Sequence, residues 1–331
     1  MSQVMKKKVS AAGASASSRS GRKPALPRRR AIDTGSSVRS LAGVAITHPD
    51  RIVYPDSGIT KLMVAEYYER VASRLLPYLA GRPLSIVRCP DGAGAPCFFQ
   101  KHVGDRAIPG IEVAMIEDSA GRNPYLVANS VKSLVGLAQM HALELHVWGA
   151  TVAAIERPDT MIFDLDPDPG LEWSTIVAAA RRTRSLFDTI GLTALVKTTG
   201  GKGLHVVVPL QRRHSWDEIK DFARDVAAHL ERSQPDQFVA TMSKTRRRGK
   251  IFVDYLRNAR GATAVAPYSL RARPGATVAT PLAWDELGPR TLPSAFTLAT
   301  VPERIARTVD PWADYEQSRQ RLTAAMRRAL R

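Results

Sequence analysis

Cysteine is almost missing from this 331-residue chain: only Cys89 and Cys97 occur, and their spacing matches no zinc pattern, which excludes a cysteine-based metal site. The pair is expected as two reduced, partly buried thiols of a cytosolic protein. Long apolar runs are missing too. No stretch approaches the eighteen or more uncharged residues of a membrane span, so no membrane partner is expected. Lys6, Lys7 and Lys8 are followed by Ala, Ser and Gly where a secretory signal needs an apolar segment. Acids are scarce: Asp plus Glu number 31 against 48 Lys plus Arg. An acidic partner is thereby disfavoured and a polyanionic one favoured.

The basic excess is uneven. Residues 1–40 hold ten cations and one acid, Asp33, so this segment carries +9 and the body +8 of the total +17. Rich in Ser, Ala, Gly and Arg, it is expected to be a disordered basic tail, with a nucleic-acid-binding or linker role ranked above a transit peptide. Beyond it, Thr60 is placed to cap a helix with apolar residues at Val64, Tyr67, Tyr68, Val71 and Leu75, ending by Gly81. Strands are predicted at about 84–88 and 97–102, a helix over about 128–142, and a strand at 143–147. A strand at 160–166, a helix over about 174–189, strands near 193–198 and 204–208, a helix from Ser215 to about 232 and a strand at 251–254 follow. This interleaving predicts an α+β (mixed α/β) fold, without internal repeats.

The feature that demands explanation is Asp164-Leu165-Asp166, which ends the apolar run from Thr160. Alternation puts both carboxylates on one face of a strand, two rises of about 3.3 Å apart. Charges that close repel unless a proton or cation sits between them. A divalent metal answers this, because hard oxygen ligands suit magnesium or manganese. The competing structural explanation is a strand end whose aspartates cap the next helix across the turn Pro167-Asp168-Pro169-Gly170. An EF-hand would need Gly at 169 and Glu at 175, where Pro169 and Thr175 stand. An aspartyl-phosphate phosphatase would explain neither the basic balance nor the glycine-rich segment described next.

Asp254 emerges from a second apolar strand, directly after Lys244-Thr-Arg-Arg-Arg-Gly-Lys250 with five cations in seven residues. Such a run is usually a solvated loop, but beside carboxylates it can steer an anion. Between two apolar strands lies Lys197-Thr-Thr-Gly-Gly-Lys-Gly-Leu-His205. Its glycines permit close approach of an anion, Lys202 supplies charge, and Thr198, Thr199 and His205 supply donors. It is not a Walker A loop, since Val196 and Gly203 stand where Gly and Ser or Thr are required; an ordinary hairpin turn is the alternative. Together these elements suggest two-metal phosphoryl transfer on a nucleic acid. His141, on a helix, and His229 are expected to be structural, and the spacing leaves His146 open.

With these residues in view, the chain resembles the polymerase domain of bacterial ATP-dependent DNA ligase D, of the archaeo-eukaryotic primase superfamily. The resemblance runs from about Val44 to Pro311. It rests on Thr47-His-Pro-Asp-Arg-Ile-Val-Tyr-Pro55, Gly58-Ile-Thr-Lys61, Cys97-Phe-Phe-Gln-Lys-His102, Leu143-Glu-Leu-His-Val-Trp148, Phe163-Asp-Leu-Asp-Pro167, Thr199-Gly-Gly-Lys-Gly-Leu-His205 and Phe252-Val-Asp254. Seven segments in the family's order and spacing make the match specific.

The resemblance implies a primase-like core of central β-sheets flanked by helices. Residues 41–331 would form the primase-polymerase domain, with a DNA-end-binding part at about 41–125 and a catalytic core at about 126–310. Asp164, Asp166 and Asp254 would hold two divalent ions, Mn or Mg. His146, Thr199, Lys202, Gly203, His205, Arg247 and Arg271 would hold the NTP or dNTP. His48, Arg51 and Lys61 would grip a 5′-phosphate at a gap or break, with Phe98 and Phe99 stacking on the template and Lys101 also on the DNA. The implied activity is nucleotide addition, with ribonucleotides preferred, to primer 3′ ends in non-homologous end joining. A Ku-like end-binder and a separate ATP-dependent ligase would be partners at the bacterial nucleoid. No Lys-x-Asp-Gly ligase motif occurs; Cys89-Pro-Asp91-Gly92 lacks the lysine. Thr199 stands where a serine is common and keeps the hydroxyl. An end-bridging module with weak catalysis, or another two-metal enzyme such as a nuclease, are the alternatives.

Overall fold

A computed structural model describes residues 39–331. The expected tail lies outside the described residues, apart from Arg39 and Ser40, which open the first strand. In chain order, β1 (Arg39–Leu41), β2 (Val44–Ile46), β3 (Ile52–Tyr54) and β4 (Ile59–Thr60) precede helix α1 (Lys61–Leu79). Next come β5 (Leu84–Arg88), β6 (Phe98–Gln100), β7 (Ile111–Asp118), β8 (Gly121–Ala128), α2 (Val131–Gln139) and β9 (Ala142–Val147). The central stretch is β10 (Thr160–Pro167), α3 (Trp173–Thr189), β11 (Leu195–Thr198), β12 (Leu204–Pro209) and α4 (Trp216–Ser233). The chain continues through β13 (Phe238–Val239), β14 (Ile251–Asp254), β15 (Ala264–Val265), β16 (Pro281–Leu282), α5 (Thr300–Arg307) and α6 (Ala324–Ala329).

Two six-stranded sheets organise these elements into the mixed α/β architecture expected. One runs β13-β14-β10-β12-β11-β16; the other runs β15-β9-β5-β8-β7, with β6 also paired to β5. Short polar signals set the helix starts. Thr60 accepts from Met63 N at the head of α1, and Ser215 with Glu218 forms a reciprocal capping box at α4.

Strand β10 shows why an apolar strand can carry two carboxylates. Met161, Phe163 and Leu165 are fully buried, Phe163 lying against Phe187 of α3. Each such side chain contributes about 1.5–3 kcal/mol. The alternate residues Asp164 and Asp166 are left on the other face. They do not cap the following helix: Glu172 is the N-cap of α3, and Asp168 accepts from Gly249 N.

A cluster beneath the far end of β10 ties distant segments together. Asp159 is fully buried and lies 2.7 Å from Arg82, 3.0 Å from Arg212 and 3.2 Å from Arg319. The cysteines depart from expectation, because Cys89 and Cys97 form a disulfide. The β5–β6 ladder pairs Ile86 with Gln100, Val87 with Phe99 and Arg88 with Phe98, so the cysteines fall at the next opposed position. Among the described residues no helix is long and apolar enough to cross a membrane.

Candidate active site

Strand register builds the site. Asp164 pairs with His205 on one side and with Asp254 on the other, while His205 pairs with Lys197. Directly opposed residues share a sheet face, so Lys197, His205, Asp164 and Asp254 form one row across β11, β12, β10 and β14. Asp166 stands one pleat further along β10 on the same face.

The row carries mixed charge. His205 Nε2 lies 3.6 Å from Asp164 Oδ2. Burial, and then the Lys197 charge, push His205 down to about 4, so its ring is neutral at pH 7. Burial also brings Lys197 down to about 7, with Arg271 adding to the effect and Asp164 opposing it. For Asp164, burial works against the charged form, but His205, Arg257 and Lys197 outweigh it and hold the carboxyl below its ordinary range. Asp254 goes the other way: burial raises it, Arg257 opposes, and Asp164 and Asp166 push it further up.

Guanidinium groups occupy the space between these carboxylates. Arg257 lies 3.2 Å from Asp254 and 3.6 Å from Asp164, and Arg247 pairs with Asp166 while covering the ring of Phe252. Among the described residues no three His, Cys, Asp or Glu side chains are drawn into a ready metal cage. The donor set nevertheless suits a hard cation. Three carboxylates on adjacent strands supply only oxygen, and their mutual repulsion is relieved here by arginines standing where positive charge is required.

The glycine-rich segment forms a closed loop beside the row. Thr199 Oγ1 donates to Gly203 O and accepts from Gly201 N. Gly203 is obligatory, since a Cβ there would meet Leu165 O at 2.4 Å. Gly200 has φ +66°, in the left-handed region, and a Cβ there would meet Arg271 Cγ at 2.7 Å. The second sheet closes the far wall through Glu144. This buried carboxylate lies 2.8 Å from His146 Nε2 and 3.0 Å from Arg271 Nε. Burial opposes its charge, but His146 and Arg271 prevail and hold it at about 2. Arg271 donates to Thr199 O, linking sheet to loop.

The resulting cleft of about 440 Å³ is lined by His146, Asp164, Asp166, Thr199, Lys202, Gly203, His205 and Arg271, all singled out from the sequence. Arg247 and Asp254 reach the same carboxylate group from its margin. Sequence reasoning missed Arg257 and Arg273, which also line the cleft, and Glu144 behind it. Arg257 had a local signal in its position three residues after Asp254; Arg273 and Glu144 are brought in only by tertiary contacts.

A second group lies around the β3–β4 hairpin. Arg51 N donates to His48 O, Lys61 N to Arg51 O, and Lys61 Nζ to Thr47 O at 2.9 Å. Lys61 is only 2% exposed, and burial, with Arg51 nearby, brings it down to about 8. Arg51 pairs with Asp91 at 3.0 Å. Phe98 and Phe99 are each 47% exposed on β6, which excludes a core role, and Phe99 meets His146 edge-on at 5.7 Å. Lys101 is exposed just beyond them. His141 does not sit on the helix: it follows α2 with φ +60°. His229 Nδ1 lies 3.0 Å from Leu330 O.

Comparison with known proteins adds three relationships. The family model described as "LigD, primase-polymerase domain" matches residues 60–312. The Multifunctional non-homologous end joining protein LigD of Pseudomonas aeruginosa is 46% identical over 309 residues, covering 93% of this chain and 37% of that protein. The Bifunctional non-homologous end joining protein LigD of Bacillus subtilis is 31% identical over 275 residues, covering 83% and 44%. This chain thus spans less than half the length of either relative. Among solved structures, the polymerase domain of Mycobacterium tuberculosis ligase D in complex with DNA matches with a TM-score of 0.78 and 34% identity, over 83% of this chain and 98% of that one.

Proposed function

The chain belongs to the LigD primase-polymerase domain family, and we propose that it is a DNA-dependent nucleotidyltransferase of non-homologous end joining, extending primer 3′ ends at gaps and breaks that carry a 5′-phosphate. The observation that carries this is the in-register row His205, Asp164 and Asp254, with Asp166 beside it, facing a cleft edged by the Thr199–Gly203 loop. Carboxylates next to a glycine-rich, lysine-bearing loop suit the transfer of a phosphoryl group held by its charge.

In this reading Asp164, Asp166 and Asp254 hold two divalent ions, Mn or Mg, which when bound supply Lewis acidity at the attacking 3′-hydroxyl and at the departing pyrophosphate. The remaining work belongs to this chain's own groups. Lys202, the backbone at Gly203, and Arg271 neutralise and orient the triphosphate, with Thr199 fixing the loop by its bonds to Gly203 and Gly201. His205, neutral at pH 7, offers a donor without adding charge beside Asp164. Arg247, paired with Asp166 at the cleft margin, is placed to neutralise the triphosphate. His146, held by Glu144, faces the sugar. A 2′-hydroxyl contact and ribonucleotide preference belong to the same reading.

The DNA lies across the N-terminal part, about 41–125, and the core is about 126–310. His48, Arg51 and Lys61 take the 5′-phosphate, a contact that fixes register without reading sequence. Exposed Phe98 and Phe99 stack on the template, and Lys101 meets its backbone. A Ku-like end-binder and an ATP-dependent ligase activity act with it, and the basic segment 1–40 adds sequence-independent affinity.

The test is extension of a gapped, 5′-phosphorylated duplex with single ribo- or deoxyribonucleotides in Mn or Mg. Synthesis by the wild type, lost in Asp164→Ala with DNA binding retained, is the expected result. Binding without synthesis in the wild type, or shortening of the primer, overturns it.

A further inference from the structure

His141, just past the end of α2, combines three features. Its backbone has φ +60°, a conformation that suits glycine and burdens a residue with a Cβ. Its Nε2 is closed off from solvent and has no hydrogen-bond partner, in a fold whose buried polar atoms are otherwise mostly paired. Its surroundings are cationic: Lys61, Arg51 and Arg88 act on the ring, with Asp91 the acid nearby.

The backbone explains how the ring is held there. His141 N donates to Ala138 O at 3.0 Å, closing the end of α2, and His141 O accepts from Cys89 N at 2.9 Å, fixing the residue to the end of β5. The disulfide loop that starts at Cys89 carries Asp91, the partner of Arg51. Cations outnumber acids around the ring, with Lys61, Arg51 and Arg88 against Asp91. Lys61 uses one of its N–H groups on Thr47 O, and His48, at φ +52°, is a second residue with a Cβ in the left-handed region. Burial, and then these cations, press His141 down to about 4, so the ring is neutral at pH 7 and adds a donor without adding charge.

We propose that His141 is a further ligand of the terminal 5′-phosphate, acting with His48, Arg51 and Lys61 and contributing to the preference for a phosphorylated over a hydroxyl end. A phosphate monoester presents several anionic acceptor oxygens, which would partner the cations and the unpaired Nε2 of His141 together. The inference rests on the phosphate-pocket reading given above.

The test compares gapped duplexes bearing a 5′-phosphate or a 5′-hydroxyl, by fluorescence anisotropy, with the wild type, Lys61→Met and His141→Gly. Glycine suits φ +60°, so the fold is retained and the thermal midpoint reports it. His141→Gly is expected to reduce the phosphate-to-hydroxyl affinity ratio by about tenfold, as for a lost hydrogen bond to a charged group, while leaving affinity for the hydroxyl end unchanged. If Lys61→Met lowers the ratio and His141→Gly does not, His141 is no ligand. A His141→Gly variant that weakens both ends equally also rules the residue out as a phosphate ligand. Should Lys61→Met leave the ratio intact, the pocket reading itself falls and this inference with it. In the wild type, the ¹⁵N resonance of His141 Nε2 is expected to move on adding the phosphorylated duplex and not the hydroxyl one. A resonance indifferent to the phosphate overturns the proposal without any variant.

Discussion

Gly203→Ala isolates the role of strand register in the chemistry. A Cβ at Gly203 would lie 2.4 Å from Leu165 O, where ordinary contact begins near 3.4 Å, and 3.6 Å from Asp164 Oδ1. The obstacle is backbone, so β10 and the loop before β12 must separate by about 1 Å at the residue next to Asp164. Displacement on that scale costs about 100-fold in rate, or about 2.7 kcal/mol of transition-state stabilisation. Overpacking costs about 1–3 kcal/mol of stability, which lowers the melting midpoint by a few degrees in a domain of this size. Single-turnover incorporation on the gapped duplex, with DNA affinity measured separately, is the assay. Gly170→Ala, at a turn where a Cβ meets nothing within 4 Å, is the control. A Gly203→Ala enzyme within threefold of the wild-type rate would refute the claim that this contact holds Asp164 in place.

Three further outcomes are expected. Asp254 is raised above its ordinary range, so the folded state binds its proton more readily and stability at this site rises as pH falls through that raised value. Asp254→Asn, measured by calorimetry in EDTA at pH 7, therefore leaves the melting midpoint unchanged or higher, while any shift induced by manganese is reduced or lost. Phe98→Ala and Phe99→Ala each weaken template binding by about 1–3 kcal/mol with little change in stability, because both rings are half-exposed; equilibrium titration and a thermal melt check the two parts. Asp159→Ala strands three arginines around a fully buried position and is expected to cost about 3–5 kcal/mol in a urea melt, with catalysis affected only through loss of folded protein.

Local signals make some of the fold and site legible in the sequence. Thr60 and Ser215 start their helices where expected because an N-cap acts within one turn. The period-two pattern of β10 is readable because one face is buried, and the same alternation exposes Asp164 and Asp166. The β7–β8 hairpin has no such signature. Glu112, Val113 and Met115 on its edge strand are exposed alike, and Pro124 sits within β8, so neither strand shows a clean burial period. The short β15 and β16 carry too few residues for any pattern. The disulfide is illegible because eight residues of separation mean nothing until Arg88 is known to pair with Phe98. The apolar spacing of α2 continues beyond its last helical residue, Gln139, so His141 reads as helical where the chain has already turned. Arg257 and Arg273 belong to the site through tertiary placement, which no local pattern encodes.

The arginines on the carboxylates also bear on how the protein finds its substrate. Four basic side chains, Lys202, Arg257, Arg271 and Arg273, line the cleft against Asp164 and Asp166, and Arg247 covers Asp166 from outside. A bare trio of carboxylates would project a repulsive field toward an approaching polyanion and slow encounter. With guanidinium groups already folded onto them, the field at the cleft mouth is attractive before any ion arrives. On the proposed function, encounter with the nucleic acid is then steered by these cations and slows as ionic strength rises, whether or not divalent ions are present.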